Sequence, residues 1–303
     1  MHKLLKYAII AALTFAPLPN VNAAGWLPLA KSSSGCSQAT TFISRTSGLS
    51  GTETTAYTNL ICGLVTDGVI TGTVNGANSG AGACGSTLDA LYIFATNTTT
   101  TANLNLCGTS YGLTTTAAPS FTADQGYTGN GTTQFLSTNF NPNTATTPNY
   151  VLNSASLGAY VRTNRTTAQN YVSIGAGGTA YAYVQPLNVA ATASVDMNGF
   201  SFPTFTVTTA QGFLVASRTN GSNTSVFRNA SSTDLGPLGD ISTSVPIVAL
   251  SIGALNDSSS GNLDFSTDQI SAAYIGAGVS GATHLLISNR INAYMTALGV
   301  NVY

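Results

Sequence analysis

The stretch Phe205-Thr-Val-Thr-Thr-Ala-Gln-Gly212-Phe-Leu-Val-Ala-Ser217-Arg-Thr-Asn-Gly221-Ser-Asn-Thr224-Ser-Val-Phe-Arg-Asn229 holds three short runs rich in β-branched and aromatic residues, broken by Gly, Asn and Ser. Runs of this length with this punctuation read as strands joined by turns. The pattern extends in both directions: 134–139, 156–162, 170–174 and 180–185 come before it, and 247–252, 262–266 and 270–275 follow. No helical pattern alternates with these runs, so a mainly β protein is expected, an antiparallel sandwich of meandering strands and not a parallel βαβ sheet.

Helical spacing occurs on either side of this region. Ser50-Gly-Thr-Glu53 has the spacing of a capping box, and Tyr57, Leu60, Ile61, Leu64 and Val65 then fall on one stripe before Gly68, which predicts a helix over about 50–67. Cys62 lies on the flank of that stripe. Near the end, Ser280 precedes Ile287, Ile291, Tyr294, Met295 and Leu298 at helical spacing, with Gly299 as the stop. Between the first helix and the sandwich, 70–87 is too rich in Gly and small polar residues for anything but a loop, and 88–95 reads as a strand. The organisation expected is a leader over 1–23, a lead-in over 24–118 and the sandwich over 119–303.

Met1–Ala23 has a basic start (His2, Lys3, Lys6), an apolar stretch from Tyr7 to Phe15, prolines at 17 and 19 and a small-residue end, the pattern of a secretory signal. Its apolar run is too short to span a bilayer, so no membrane insertion is expected after cleavage, and the location expected is secreted, periplasmic or cell surface. In an oxidising compartment Cys36, Cys62, Cys84 and Cys107 form two disulfides with three possible pairings, of which Cys62–Cys84 with Cys36–Cys107 is the one expected.

Charge limits the chemistry. Only 6% of the 303 residues are charged and the net charge is −1, which leaves no basic footprint for nucleic acid. Glu53 is the one glutamate, and beyond the leader His284 is the one histidine. No Gly-x-Ser-x-Gly elbow accompanies that histidine, so a Ser–His–Asp hydrolase is not expected and His284 reads as a helix-surface or interface residue.

Several stretches in order resemble a group of bacterial and tailed-phage proteins whose C-terminal part is a concanavalin A-like (laminin G-like) jelly-roll sandwich. They include Arg45-Thr-Ser-Gly-Leu49, the helix 56–68, Leu88-Asp-Ala-Leu-Tyr-Ile-Phe-Ala-Thr96, Leu157-Gly-Ala-Tyr-Val-Arg-Thr-Asn164, Gly212-Phe-Leu-Val-Ala-Ser-Arg-Thr-Asn220 and Ala273-Tyr-Ile-Gly-Ala-Gly-Val-Ser280. The likeness runs from about residue 43 to the end. It implies the jelly roll with a small helical lead-in and a C-terminal helix, and a role as a glycan-binding or surface structural module. Glycoside hydrolases of the same fold carry a Glu-x-Asp-x-x-Glu cluster, which a chain with one glutamate cannot form. The cysteine-bearing loop at 70–87 and the leader depart from the phage members and favour an exported bacterial protein over a virion component.

Sugars are held by aromatic faces together with amide and guanidinium groups at loop mouths. Tyr160, Arg162, Asn164 and Arg165 follow one strand, and Arg218 and Asn220 follow another through the same Arg-Thr-Asn triplet. If those strands are neighbours, the two triplets are expected to meet at one rim and bind a glycan or surface polysaccharide. Asp257, Asp264 and Asp268 form a weaker candidate for calcium, and otherwise no cofactor is expected. The function expected is a non-catalytic, lectin-like module. The alternatives are a structural or adhesive subunit that self-associates, such as a phage-tail protein, or a glycoside hydrolase of this fold.

Overall fold

The computed structural model describes residues 35–76, 83–188 and 191–303. The leader expected at 1–23 lies outside the described residues. Two helices come first, α1 (Ser37–Ile43) and α2 (Gly51–Thr66), followed by β1 (Leu88–Ile93) and the short α3 (Thr99–Ala102). The strands continue as β2 (Thr114–Thr116), β3 (Ser120–Thr122), β4 (Gly126–Thr128), β5 (Phe135–Ser137), β6 (Ala155–Val161), β7 (Ile174–Gly177), β8 (Tyr181–Gln185) and β9 (Thr192–Gly199). After these come β10 (Thr204–Thr206), β11 (Gly212–Arg218), β12 (Asn223–Arg228), β13 (Leu238–Gly239), β14 (Ser251–Ile252), β15 (Leu255–Asp257), β16 (Gly261–Leu263) and β17 (Gln269–Gly276). Helix α4 (Gly281–Ala297) closes the series.

The strands form the expected mainly β sandwich of two sheets, antiparallel except for the parallel β7–β15 pair. The first sheet runs β13-β12-β11-β6-β17-β4-β3 with β1 also on β17, and the second runs β10-β9-β8-β7-β14-β5-β2 with the β15–β16 hairpin beside β7. These orders correct the expected meander, because β6 lies between β11 and β17, far from it in sequence. Alternation along the strands decides which side chains face which layer. Leu157, Ala159 and Val161 of β6 enter the core between the sheets with Leu214, Ala273, Val184, Val195 and Met197, whereas Tyr160 faces the other way.

The outer face of the first sheet is roofed by helices. Tyr160, Phe213, Val215 and Tyr274 pack there with Tyr57, Leu60 and Ile61 of α2 and with Ile287, Ile291 and Tyr294 of α4. The two helices approach closely because Gly63 has no side chain: a Cβ there would lie 2.6 Å from Arg290 Cδ, and Arg290 donates to Asp67 at 2.7 and 2.8 Å. This roof corrects the expected division at 118/119. Strand β1 is part of the sheet, α2 is part of its cover, and Ser32–Tyr303 form one unit. Among the described residues no helix is long and apolar enough to cross a membrane.

The disulfides are Cys36–Cys62 and Cys84–Cys107, with Cα–Cα distances of 5.6 and 4.8 Å, so the expected Cys62–Cys84 and Cys36–Cys107 pairing is incorrect. Packing of α1 on α2 sets Cys36 beside the flank of α2 that carries Cys62. Cys107 is placed by Asn105, whose Oδ1 accepts from both Leu91 N and Cys107 N. Arg45 gathers the surrounding loops, donating to the carbonyls of Val74, Asn105, Leu106 and Gly108.

The capping box forms as read: Ser50 Oγ accepts from Glu53 N at 3.2 Å and Glu53 Oε2 accepts from Ser50 N at 2.8 Å. The same carboxylate accepts from Thr96 Oγ1 at 3.0 Å and Asn97 N at 2.7 Å, which latches α2 to the segment after β1. Ser50→Ala is expected to cost about 1 kcal/mol of stability. Glu53→Ala should cost more, since two further donors lose their acceptor. Equal shifts of the urea midpoint in the two variants would show that the latch to β1 contributes nothing.

Candidate functional site

Of the four sheet faces, two meet in the core and one lies under the helices. Among the described residues no helix covers the outer face of the second sheet, which makes it the candidate face for a ligand. On β8 the period of two sends Ala182 and Val184 inward and puts Tyr181 and Tyr183 on that face, where they join Val172 and Leu255.

The β9–β10 connection, Gly199-Phe-Ser-Phe-Pro203, curls over these tyrosines. Phe200 and Phe202 are 47% and 44% exposed, high values for phenylalanine. Ring centroids lie 5.3 Å apart for Tyr181–Phe200, 5.0 Å for Tyr181–Phe202, 6.3 Å for Tyr183–Phe202 and 6.4 Å for Phe200–Phe202, mostly edge to face. Tyr181 donates its hydroxyl to Asp257 Oδ2 at 3.1 Å, which fixes the ring at the base of the platform.

The loop is held against strain. Phe202 has φ +47°, a region that bulky residues seldom occupy, whereas Asn198, at φ +65°, is of a type that accepts it. Asp196 holds it from beneath, its carboxylate accepting from Gly199 N and from Phe202 N at 3.0 Å each. Asn198 anchors the other side, accepting from Tyr150 Oη at 2.6 Å and donating to the carbonyls of Val151 and Leu152. Burial, then the neighbouring Asp240, pushes the Asp196 carboxyl up to about 7. Gly199 is required here, since a Cβ would lie 2.2 Å from Asp240 Oδ1.

The residues expected to form one rim are not brought together. Strands β6 and β11 are neighbours, but antiparallel: Gly212 pairs with Val161 and Arg218 with Ala155. The two Arg-Thr-Asn triplets therefore sit at opposite ends of the pair, about 20 Å apart for six residues of strand. Tyr160 is buried under the C-terminal segment, its hydroxyl accepting from Val302 N at 2.9 Å. Arg162 donates to Val300 O and Gln269 Oε1, and Arg165 pairs with Asp268 at 2.8 Å. Arg218 is fully buried against Asp240 at 2.7 Å. Asn220 spends its Oδ1 on Ser222 N and Asn223 N, while Asn164 accepts from Thr209 Oγ1.

The calcium reading fails on the same kind of ground. Asp268 belongs to Arg165, Asp257 closes a turn by accepting from Ser259 N and Ser260 N, and no group of three metal-ligating side chains occurs among the described residues. His284 is not at the surface. It is fully buried between the rings of Phe213 and Phe227, with Nε2 2.8 Å from Asn229 O, and burial lowers it to about 4.

The platform has a signal in the sequence, outside the expected site residues. Tyr181 and Tyr183 alternate with alanine and valine, and two phenylalanines stand in a turn-like stretch between Gly199 and Pro203.

No protein-family model matches the chain, and no curated protein matches it. Solved structures similar to it include Trypanosoma rangeli sialidase in complex with 2,3-difluorosialic acid, at 10% identity and TM-score 0.45, over 82% of this chain and 40% of that one. The botulinum neurotoxin serotype D binding domain aligns at 8% identity and TM-score 0.37, over 67% and 50% of the two chains. Domain 4 of AbnA, an extracellular arabinanase from Geobacillus stearothermophilus, aligns at 11% identity and TM-score 0.34, over 66% and 87%. The chain spans about two fifths of the length of the sialidases it matches.

Proposed function

We propose that this protein is a non-catalytic carbohydrate-binding module that holds a cell-surface or extracellular glycan on the platform of Tyr181, Phe200 and Phe202. The observation that supports this reading is that two phenylalanine rings stay in solvent on a strained loop that a buried carboxylate holds in shape. Flat aromatic faces cover the C–H patches of sugar rings, and rigid rings lose little entropy on binding. Of the carboxylates beneath, Asp196 and Asp240 are fully buried and Asp240 is taken by Arg218, so neither is available to a glycosidic bond.

The test is retention on a panel of polysaccharides and glycans, with the double variant Phe200→Ala/Phe202→Ala as comparison. The double variant should lose at least tenfold in affinity with its melting temperature unchanged, because neither ring belongs to the core. Equal retention of both proteins, or retention of neither on any glycan, sinks the proposal.

A self-associating adhesive subunit is the second reading, favoured by Ile241, Val151 and Leu152 at the same end of the sandwich, with Ile241 69% exposed. Size exclusion at micromolar concentration separates the two: a monomer that retains glycan supports the first, and an oligomer broken by Ile241→Ser supports the second.

A further inference from the structure

At the end of β9 remote from the platform, the β10–β11 connection and the end of β12 enclose a groove of about 460 Å3. Its wall includes Thr206, Thr208, Gln211, Arg228 and Asn229, and no carboxylate lines it among the described residues. Three of the six described arginines, Arg165, Arg218 and Arg290, have aspartate partners. Arg228 has none. Its Nη2 donates to the carbonyls of Thr209 and Gln211 at 2.7 and 2.5 Å, while Nε and Nη1 have no partner among the described residues. A guanidinium partly stripped of water and without a counter-charge favours an anion.

A second donor is set beside it. Asn229 Oδ1 accepts from Phe213 N at 2.9 Å, which fixes the amide and leaves Nδ2 with no partner among the described residues. The backbone of Asn229 sits at φ +55° and its carbonyl is held by His284 Nε2. Both side chains crowd Gly212, at φ +129°, where a Cβ would lie 2.4 Å from Asn229 Oδ1 and 3.4 Å from Arg228 Nε. The absent Cβ lets a charged fork and an amide share one place at the groove.

We propose that this groove is a binding site for an oxyanion group, a carboxylate or sulfate, seated between the free guanidinium edge of Arg228 and the Asn229 amide. It is separate from the aromatic platform, about 25 Å along β9, and does not depend on that surface binding anything. Charge-assisted bonds from a planar fork suit a flat or tetrahedral oxyanion better than a neutral hydroxyl.

The experiment is calorimetric titration of the full chain with inorganic sulfate, a sulfated oligosaccharide, a uronic-acid oligosaccharide and their neutral counterpart, at low and high salt. The anionic ligands are expected to bind at least tenfold tighter than the neutral one, with the preference shrinking as salt rises. Sulfate binding as well as the sulfated sugar marks a free-anion site; extra affinity from the sugar marks a charged saccharide. Arg228→Gln should remove the preference, and the Phe200→Ala/Phe202→Ala double variant should keep it. If Arg228→Gln does not fold, Thr208→Glu, an exposed position on the groove wall, should abolish anion binding by repulsion without touching a described hydrogen bond. Equal binding of anionic and neutral ligands, or an anion preference that survives in Arg228→Gln or Thr208→Glu, overturns the proposal.

Discussion

Arg218→Ala is expected to cost about 3–5 kcal/mol of stability, and under the proposed function a variant that remains folded retains whatever glycan the aromatic platform holds. The guanidinium is fully buried, pairs with Asp240 Oδ2 at 2.7 Å, and donates to the carbonyls of Met197 and Asn220. Asp240 Oδ2 also accepts from Thr224 Oγ1 at 2.7 Å and Met197 N at 3.2 Å, so the pair joins β9, β12 and the segment after β13. Removing the cation leaves Asp240 buried beside Asp196 with no positive charge among its described partners. The loss comes mainly from that uncompensated carboxylate, so Arg218→Met/Asp240→Leu should recover part of it. Urea denaturation of the single and double variants measures both. A loss below about 1 kcal/mol together with abolished binding would return Arg218 to the role of ligand contact that its sequence position suggested.

The second large effect is on pH dependence. His284 is held at about 4 inside the protein, first by burial and against the Asn229 carbonyl, compared with 6.5 in an unfolded chain. The unfolded chain therefore binds a proton between those values that the folded protein refuses. The contribution is complete above 6.5 and is lost as the pH falls toward 4, by about 3 kcal/mol in total. Asp196 acts in the opposite direction. Its folded value is raised from 3.8 to about 7 by burial and by Asp240, so its contribution is complete below 3.8 and is lost as the pH rises toward 7. Between 4 and 6.5 the two trends oppose each other.

Melting curves in that window separate them. In Asp196→Asn, stability should fall cleanly from pH 6.5 to 4. In His284→Gln, it should rise as the pH drops from 7. A flat profile in Asp196→Asn would mean that His284 takes up its proton without cost, contrary to its position between two phenylalanine rings.

Much of the sandwich was legible because its strands are short apolar and aromatic runs bounded by Gly, Asn and Ser, and β6 and β11, covered on both faces, are buried throughout. β6, β8, β11, β12 and β17 fall close to the segments read, and α2 starts at its capping box. Strand β7 was read too early, at 170–174 against Ile174–Gly177, and of 247–252 only Ser251–Ile252 is paired. Strand β9, Thr-Ala-Ser-Val-Asp-Met-Asn-Gly, was missed although it is among the longest, because aspartate and asparagine are poor strand formers. Their polar groups are satisfied by tertiary structure: Asn198 by Tyr150, remote in sequence, and Asp196 by the Gly199 and Phe202 amides of the loop that follows the strand.

The site was less legible for a geometric reason. Two identical triplets invite a shared location, but the direction of a neighbouring strand is not written in either one, and antiparallel pairing sends them apart. The cysteines show the same limit: their spacing allows three pairings, and the packing of α1 on α2 decides among them.

The helical roof and the aromatic platform lie on opposite sides of the molecule. The first described helix belongs to the roof, and Tyr303 rests on the Tyr160 ring beneath it. A graft onto Tyr303 therefore emerges on the roof side, with Phe200 and Phe202 facing away from it. Copies immobilised through that terminus would all present the two rings to the same side.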